Sequence, residues 1–163
     1  MNVAKISSDE ITRLLDRIGT YNENEHYSRG QFEKHLFEDP EMFGLYDNGK
    51  CVALAFTRLN DPKNGFSYLS QLSSFIKGKN YGMKLLESLV ESGNCPNLWL
   101  MSNPEAGESV AKIYRKTELF EEFTISKSIY SGKEIHFFMH ISGSNKENKT
   151  NWLKDYLTGV FAE

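Results

Sequence analysis

The stretch from Phe66 to Met101 constrains the fold of this chain more than any other. Phe66–Ile76 is a run with strand character, and the loop Lys77–Asn80 follows it. From about Tyr81 to Ser92 the residues Gly82, Leu85, Leu86, Leu89 and Val90 recur on one face at helical spacing. Gly93, Asn94 and Pro96 stop that helix, and Asn97–Met101, with Leu98, Trp99 and Leu100 inside it, reads as a short strand. Strand, helix, strand in this order is a crossover. A chain that makes one needs a sheet with a helix lying on its face.

Hairpins precede the crossover. Met42–Tyr46 and Cys51–Leu59 flank Asp47-Asn48-Gly49-Lys50, and Asn-Gly between apolar runs is a strong hairpin signal. Asn60 to Gly65 is a second turn. Two helices come before the hairpin. In the first, Ser7 and Glu10 have capping-box spacing, Ile11, Leu14, Leu15 and Ile18 form one apolar face, and Gly19 is a stop. In the second, Ser28 and Gln31 repeat the capping signal before Phe32, Leu36 and Phe37, and Pro40 ends it.

After the crossover, Asn103 is an N-cap candidate with Pro104 at the first helical position. Ala106, Val110, Ile113, Tyr114 and Thr117 line one side of that helix. Phe120–Ile129 and Glu134–Ile141 are expected strands joined by a turn at Ser131-Gly132. The expected class is α+β, a mixed sheet with helices on both faces. The expected organisation is a domain over 1–141, a polar linker over 142–150 and an amphipathic helix over 151–163. The apolar stripe of that helix (Trp152, Leu153, Tyr156, Leu157, Val160, Phe161) is too broad to leave in water. It can dock on its own domain or on a second copy, with a slight preference for the second, so the chain is expected as a monomer or a homodimer.

Composition narrows the function. The chain has 163 residues, enough for one domain whose core needs neither metal nor disulfide. Its net charge is −3, whereas nucleic-acid binders usually present a basic face, so no nucleic-acid partner is expected. Lys77, Lys79 and Lys84 form a small basic cluster that suits one phosphorylated ligand better than a duplex. No long apolar run suggests a membrane span, and Met1 to Lys5 lack the apolar stretch of a secretory signal, so a cytoplasmic protein is expected. Cys51 and Cys95 lie far apart without metal or redox spacing and read as reduced packing residues. His136 and His140 share one face of a strand. They could ligate a metal, but a hydrogen-bonded structural pair is the preferred reading, and no metal is expected.

At Lys77-Gly78-Lys79-Asn80-Tyr81-Gly82 the chain resembles the GNAT superfamily of N-acetyltransferases, whose acetyl-CoA loop runs Arg/Gln-x-x-Gly-x-Gly/Ala between a strand and a helix. Lys77 stands at the Arg/Gln position, Asn80 at the first Gly and Gly82 at the second. Asn is a tolerable substitute because it reaches positive φ more readily than most residues. A second match is Tyr114 to Phe120, similar to the family's Tyr-x-x-x-Gly-Phe, with Glu118 in place of the glycine and Phe120 one residue late. The element order matches over roughly residues 5–141.

The resemblance implies a splayed sheet, acetyl-CoA as cosubstrate and direct transfer of its acetyl group to a primary amine on a small molecule or peptide. It implies coenzyme contacts at Ser74, Phe75, Ile76, Lys77, Gly78, Lys79, Asn80, Tyr81, Gly82, Met83 and Asn103. Backbone N–H groups at the helix start suit phosphates, and Gly82 reads as a position where any side chain would push into the ligand's cradle. Tyr114 is implied as the proton donor to the leaving thiolate; the bland alternative is a core aromatic. A lysine-like amine with pKa about 10.4 is only ~0.04% neutral at pH 7, a cost of about 4.6 kcal/mol, so a general base or a dry pocket must help. Some family members place a Glu on the strand before the loop, but Phe66–Ile76 contains no acid. The base is left open among a held water, Glu122 and His136. The rival reading is a non-catalytic module that keeps the fold and coenzyme binding.

Overall fold

A computed structural model describes residues 1–7, 9–14, 40–61, 63–76, 78–102 and 108–163. The expected helix from Ser28 to Pro40 falls almost wholly outside them, as do Lys77 and Asn103. Seven strands form one mixed sheet in the order β1-β2-β3-β4-β5-β7-β6. They are β1 (Asn2–Lys5), β2 (Glu41–Asp47), β3 (Lys50–Asp61), β4 (Phe66–Ser74), β5 (Asn97–Met101), β6 (Glu121–Ile125) and β7 (Ile135–His140). The described helices are α1 (residues 9–14), α2 (Tyr81–Glu91), α3 (Glu108–Arg115) and α4 (Lys146–Phe161). None of them is long and apolar enough to cross a membrane. The chain divides into two compact units, Met1–Leu59 with Tyr68–Asn94, and Asn60–Ser67 with Cys95–Glu163.

In the first unit, β2 and β3 pair antiparallel around Asn48 (φ 51°) and Gly49 (φ 77°). Two successive left-handed residues are what a two-residue hairpin matched to strand twist requires. Ser7 caps α1 as its spacing implies, its Oγ accepting from the Glu10 N–H at 3.3 Å. The Glu10 carboxylate does not complete the box; it accepts from the Tyr46 hydroxyl at 2.7 Å. Ile11 and Leu14 of α1 join Ile6, Cys51, Leu54, Phe56 and Phe75 in one core cluster. α2 buries Leu85, Leu86 and Leu89 completely. β1 carries no strand signal in the sequence. It is a four-residue edge strand, antiparallel to β2, whose burial alternates too little to mark a pattern.

In the second unit, β7 lies between β5 and β6 and is antiparallel to both. By strand alternation His136, Phe138 and His140 share one face, and Ile135, Phe137 and Met139 the other. α4 covers the latter: the Phe161 ring stands 5.4 Å from that of Phe137. Its Leu153 and Leu157 are fully buried, and Trp152 stacks on Phe66 at 5.4 Å. The C-terminal helix therefore packs on its own unit. It also begins at Lys146 and not Trp152, so much of the expected linker is helical. Its first turns are polar because they face water, which hid them from a search for apolar periodicity. The two final strands are shorter than expected. Ser128 and Ile129 leave β6 to meet the C-terminus: the Ile129 N–H donates to the Phe161 carbonyl at 2.9 Å.

Candidate functional site

Two groups of residues singled out by the sequence can be placed, one in each unit. The first runs from the end of β4 to the start of α2. Ser74 ends β4, and its Oγ donates to the Ile76 carbonyl at 2.9 Å. The Phe75 N–H donates to the Val52 carbonyl of β3 at 2.9 Å, and its side chain lies in the core cluster. Backbone groups alternate in direction along a strand, so the main chain of Ser74 faces away from β3. Phe75 is thus tied inward, while Ser74 presents the backbone edge that an extended ligand could meet.

The loop then turns through two left-handed residues. Gly78 has φ +78°, and a Cβ there would meet nothing within 4 Å. That glycine serves the turn and does not relieve a crowded contact within the chain. Asn80 has φ 57° and ψ 30° and is the N-cap of α2. Its tolerance of positive φ, the reason it can stand at a glycine position, is realised. Its side chain makes no capping bond, and no acid occupies the first turn. The first bond along the helix is from the Lys84 N–H to the Asn80 carbonyl at 3.1 Å. The N–H groups of Tyr81, Gly82 and Met83 therefore precede the helical ladder, at the positive end of the helix dipole.

The side chains of that turn divide by direction. Tyr81 and Met83 are buried; the Tyr81 hydroxyl reaches Asp47 Oδ2 at 3.4 Å, and Lys84 Nζ lies 5.4 Å from the Tyr81 ring centre. These two residues can offer a ligand only their backbone. A Cβ on Gly82 would point at Leu72 of β4, 3.4 Å from its Cδ2. A Cβ at this position would thus make an ordinary contact with β4 inside the unit, a direction that differs from the one the sequence implies, toward the ligand. Lys79 and Lys84 are exposed.

The second group surrounds Tyr114, half-buried near the end of α3. Its ring stands 5.3 Å from that of Phe138 and meets the Phe120 ring edge-on at 6.0 Å. Of the apolar side expected for this helix, Ile113 is 53% exposed, whereas Ala111 is fully buried. The inward face therefore runs through Ala111 and Tyr114, a spacing of three.

Next to Tyr114, Arg115 chelates Glu122. Its Nε lies 2.9 Å from both carboxylate oxygens and its Nη2 2.7 Å from Oε2. His136 Nδ1 stands 3.0 Å from the same Oε2 and 3.2 Å from Arg115 Nη2, and its Nε2 stands 2.9 Å from Glu134 Oε1. The Arg115 guanidinium holds the Glu122 carboxyl below the ordinary carboxylate range, over an opposing effect of burial and with help from His136. Glu122 and His136, the two candidate bases, are thus bound into one ionic cluster. His140 turns its Nδ1 to the Leu119 carbonyl at 2.8 Å. The histidine pair is structurally satisfied, and no metal-ligand group occurs among the described residues. Arg115 and Glu134 went unremarked in the sequence. A basic residue in the last turn of a helix, facing a Glu–His cross-strand neighbourhood, was the signal available.

No family model matches the sequence, and no curated protein does. Solved structures do match. The ribosomal-protein-S18-alanine N-acetyltransferase of Escherichia coli is 21% identical with a TM-score of 0.61, over 88% of this chain and 97% of that one. A GNAT-family protein of Bacteroides thetaiotaomicron is 12% identical with a TM-score of 0.60, over 98% and 97%. A GNAT-family acetyltransferase of Elizabethkingia anophelis, solved with acetyl-CoA bound, is 9% identical with a TM-score of 0.58, over 86% and 97%. The fold of this chain is the fold of the GNAT acetyltransferases.

Proposed function

We propose that this chain is an acetyl-CoA-dependent N-acetyltransferase that transfers the acetyl group directly to a primary amine. The observation that carries this reading is the start of α2. There a strand runs through two left-handed residues into a helix whose first turn has neither a side-chain cap nor an acid. Such a turn offers aligned N–H donors and a positive dipole end to the phosphates of the coenzyme. Lys79 and Lys84 add charge from exposed positions. In this reading the backbone from Gly78 to Met83 cradles the phosphates, and the outward edge at Ser74 and Ile76 receives the extended arm while Phe75 anchors the strand from the core. Lys77 and Asn103 belong to the proposal on the resemblance alone.

The chemistry follows from what acyl transfer needs. The neutral amine nitrogen bonds to the thioester carbon and gives up one proton to solvent, the carbon–sulfur bond breaks, the sulfur takes a proton, and the proton donor is restored from solvent so that the step is balanced overall. Tyr114 is proposed to supply the sulfur's proton from its hydroxyl. With an ordinary tyrosine pKa of about 10 against about 8.5 for a thiol, a phenol is protonated at neutral pH and able to donate. General acid catalysis of this kind is worth about 10²–10⁴-fold.

The test has two parts. Millimolar acetyl-CoA should raise the melting temperature, and a panel of amines and peptides should release free thiol from acetyl-CoA. The name of the E. coli neighbour puts peptides with an N-terminal alanine into that panel. Tyr114→Phe should lose turnover and keep the melting shift. A second reading, a non-catalytic module that retains the coenzyme, is favoured by the acid-free strand β4 and by Glu118 at the family's glycine position. It predicts the melting shift without thiol release from any amine. No shift at all would sink both readings.

A further inference from the structure

We propose that the chelate of Arg115 on Glu122 is the positioning device for the Tyr114 ring, fixing the end of α3 on β6 and β7. The inference rests on the reading of Tyr114 as proton donor. Tyr114 and Arg115 are consecutive residues at the close of α3, a helix of eight residues. Glu122 and Phe138 stand directly opposite each other in the antiparallel pair of β6 and β7. The last two residues of the helix thus grip one cross-strand pair. The Tyr114 ring rests 5.3 Å from the Phe138 ring, while Arg115 binds Glu122 through contacts of 2.7–2.9 Å.

Helix ends fray, and a short helix frays most readily. A ring at the penultimate position is therefore where the placement of a catalytic hydroxyl is most easily lost. A guanidinium on both oxygens of a carboxylate fixes direction as well as distance. Glu122 is also held from the other side, by His136 Nδ1 at 3.0 Å, and His136 in turn by Glu134 at 2.9 Å. Arg115 and Glu122 remain 33% and 30% exposed, so the pair adds little to stability as an isolated surface bridge. Its value is geometric: misplacing a reacting group by about 1 Å can cost on the order of 10²-fold in rate.

The experiment uses protein carrying 3-fluorotyrosine, with the Tyr114 fluorine signal identified by its loss in Tyr114→Phe. Glu122→Gln and Arg115→Lys, both mild enough to keep the fold in a thermal melt, should each shift or split that signal. Each should also lower the turnover number for thiol release about tenfold, with the KM for acetyl-CoA unchanged. Added to Tyr114→Phe, Glu122→Gln should cost nothing more. An unmoved fluorine signal in both variants overturns the inference whatever the activity. An equal loss of turnover in the Tyr114→Phe background overturns it too, because the pair then acts on something other than the ring, while the donor role of Tyr114 stands. Full turnover in Tyr114→Phe alone overturns the donor role and the inference with it.

Discussion

At Gly82, in the proposed coenzyme loop, a side chain directed at β4 and one directed at the ligand have different consequences, and the structure makes them distinguishable. A Cβ at this position meets Leu72 Cδ2 at 3.4 Å and Cγ at 3.6 Å. Those are ordinary van der Waals distances, so Gly82→Ala should fit without displacing β4. It should also recover helix propensity, up to about 1 kcal/mol. In a domain of this size that raises the apo melting temperature by about 2–4 °C at most. Because the added methyl points at Leu72 and not out of the turn, the N–H groups of the first turn keep their place. At acetyl-CoA 100 times above Kd, the stabilisation of about 2.7 kcal/mol should survive as a shift of about 5–11 °C. Gly82→Val is different, for its γ-methyls enter a contact already at 3.4 Å. Overpacking of that kind costs about 1–3 kcal/mol, and tilting α2 off β4 should weaken acetyl-CoA as well. Differential scanning fluorimetry of the three proteins with and without acetyl-CoA measures all of this. A Gly82→Ala protein with a wild-type melt and no acetyl-CoA shift would show the methyl meeting the ligand and refute the Cβ direction toward Leu72.

Other substitutions test neighbouring parts of the account. Leu157→Ala, in a fully buried position on α4, should cost about 2–5 kcal/mol in urea unfolding, whereas Val160→Ala, 44% exposed, should cost little; equal effects would mean that the helix does not dock as described. Asn80, at φ 57°, should accept glycine with no loss, and Asn80→Ala should cost about 1–2 kcal/mol by the same measurement. Glu122 is held below its ordinary range by Arg115, so its contribution is complete above the unfolded carboxyl value of about 4.3 and is lost as pH falls through the lower folded value. The small stability gap between wild type and Glu122→Gln should accordingly stay level from pH 7 to about 5 and shrink as pH falls below the unfolded carboxyl value of about 4.3.

What the sequence disclosed follows from which signals are local. Asn48-Gly49 predicts its hairpin because the turn's φ values are a property of those two residues, and both are left-handed in the fold. β5 was bounded correctly because four of its five residues are buried, leaving an apolar run with clear ends. Asn80 was legible for the same reason as the hairpin. The Cβ direction at Gly82 was not, since it depends on how α2 lies on Leu72. Nor was the length of α4. Its first turns carry polar residues, and what fixes their start is the left-handed Asn145 together with Ser142, whose N–H and hydroxyl reach Asn97 and Pro96 from 45 and 46 residues away. The cluster of Arg115, Glu122, His136 and Glu134 is assembled by strand register across a turn, and register is invisible until two strands are paired.

In the acyl transfer proposed above, that cluster bears on how an amine acceptor would lose its proton. A general base works best with a pKa near the operating pH. Glu122 is moved the wrong way, below the ordinary carboxylate range by Arg115. His136 has each ring nitrogen within 3.0 Å of a carboxylate oxygen, so neither nitrogen faces an incoming substrate. β4 has no acid to offer in their place. With these three sources set aside among the described residues, the held water remains, and an amine that sheds its proton to water becomes the expected nucleophile, its intrinsic pKa governing the rate. A peptide α-amine, pKa about 7.7–8.0, costs about 1 kcal/mol to neutralise at pH 7, against about 4.6 kcal/mol for a lysine-like amine at 10.4. The difference, about 3.6 kcal/mol, amounts to roughly 400-fold in reactive amine. The kcat/KM of a peptide α-amine should therefore rise tenfold per pH unit and level off near pH 8. For a lysine-like amine it should still be rising at pH 9. A lysine-like acceptor whose kcat/KM levels off near pH 7 would reveal a placed base on the protein and overturn this account of the nucleophile.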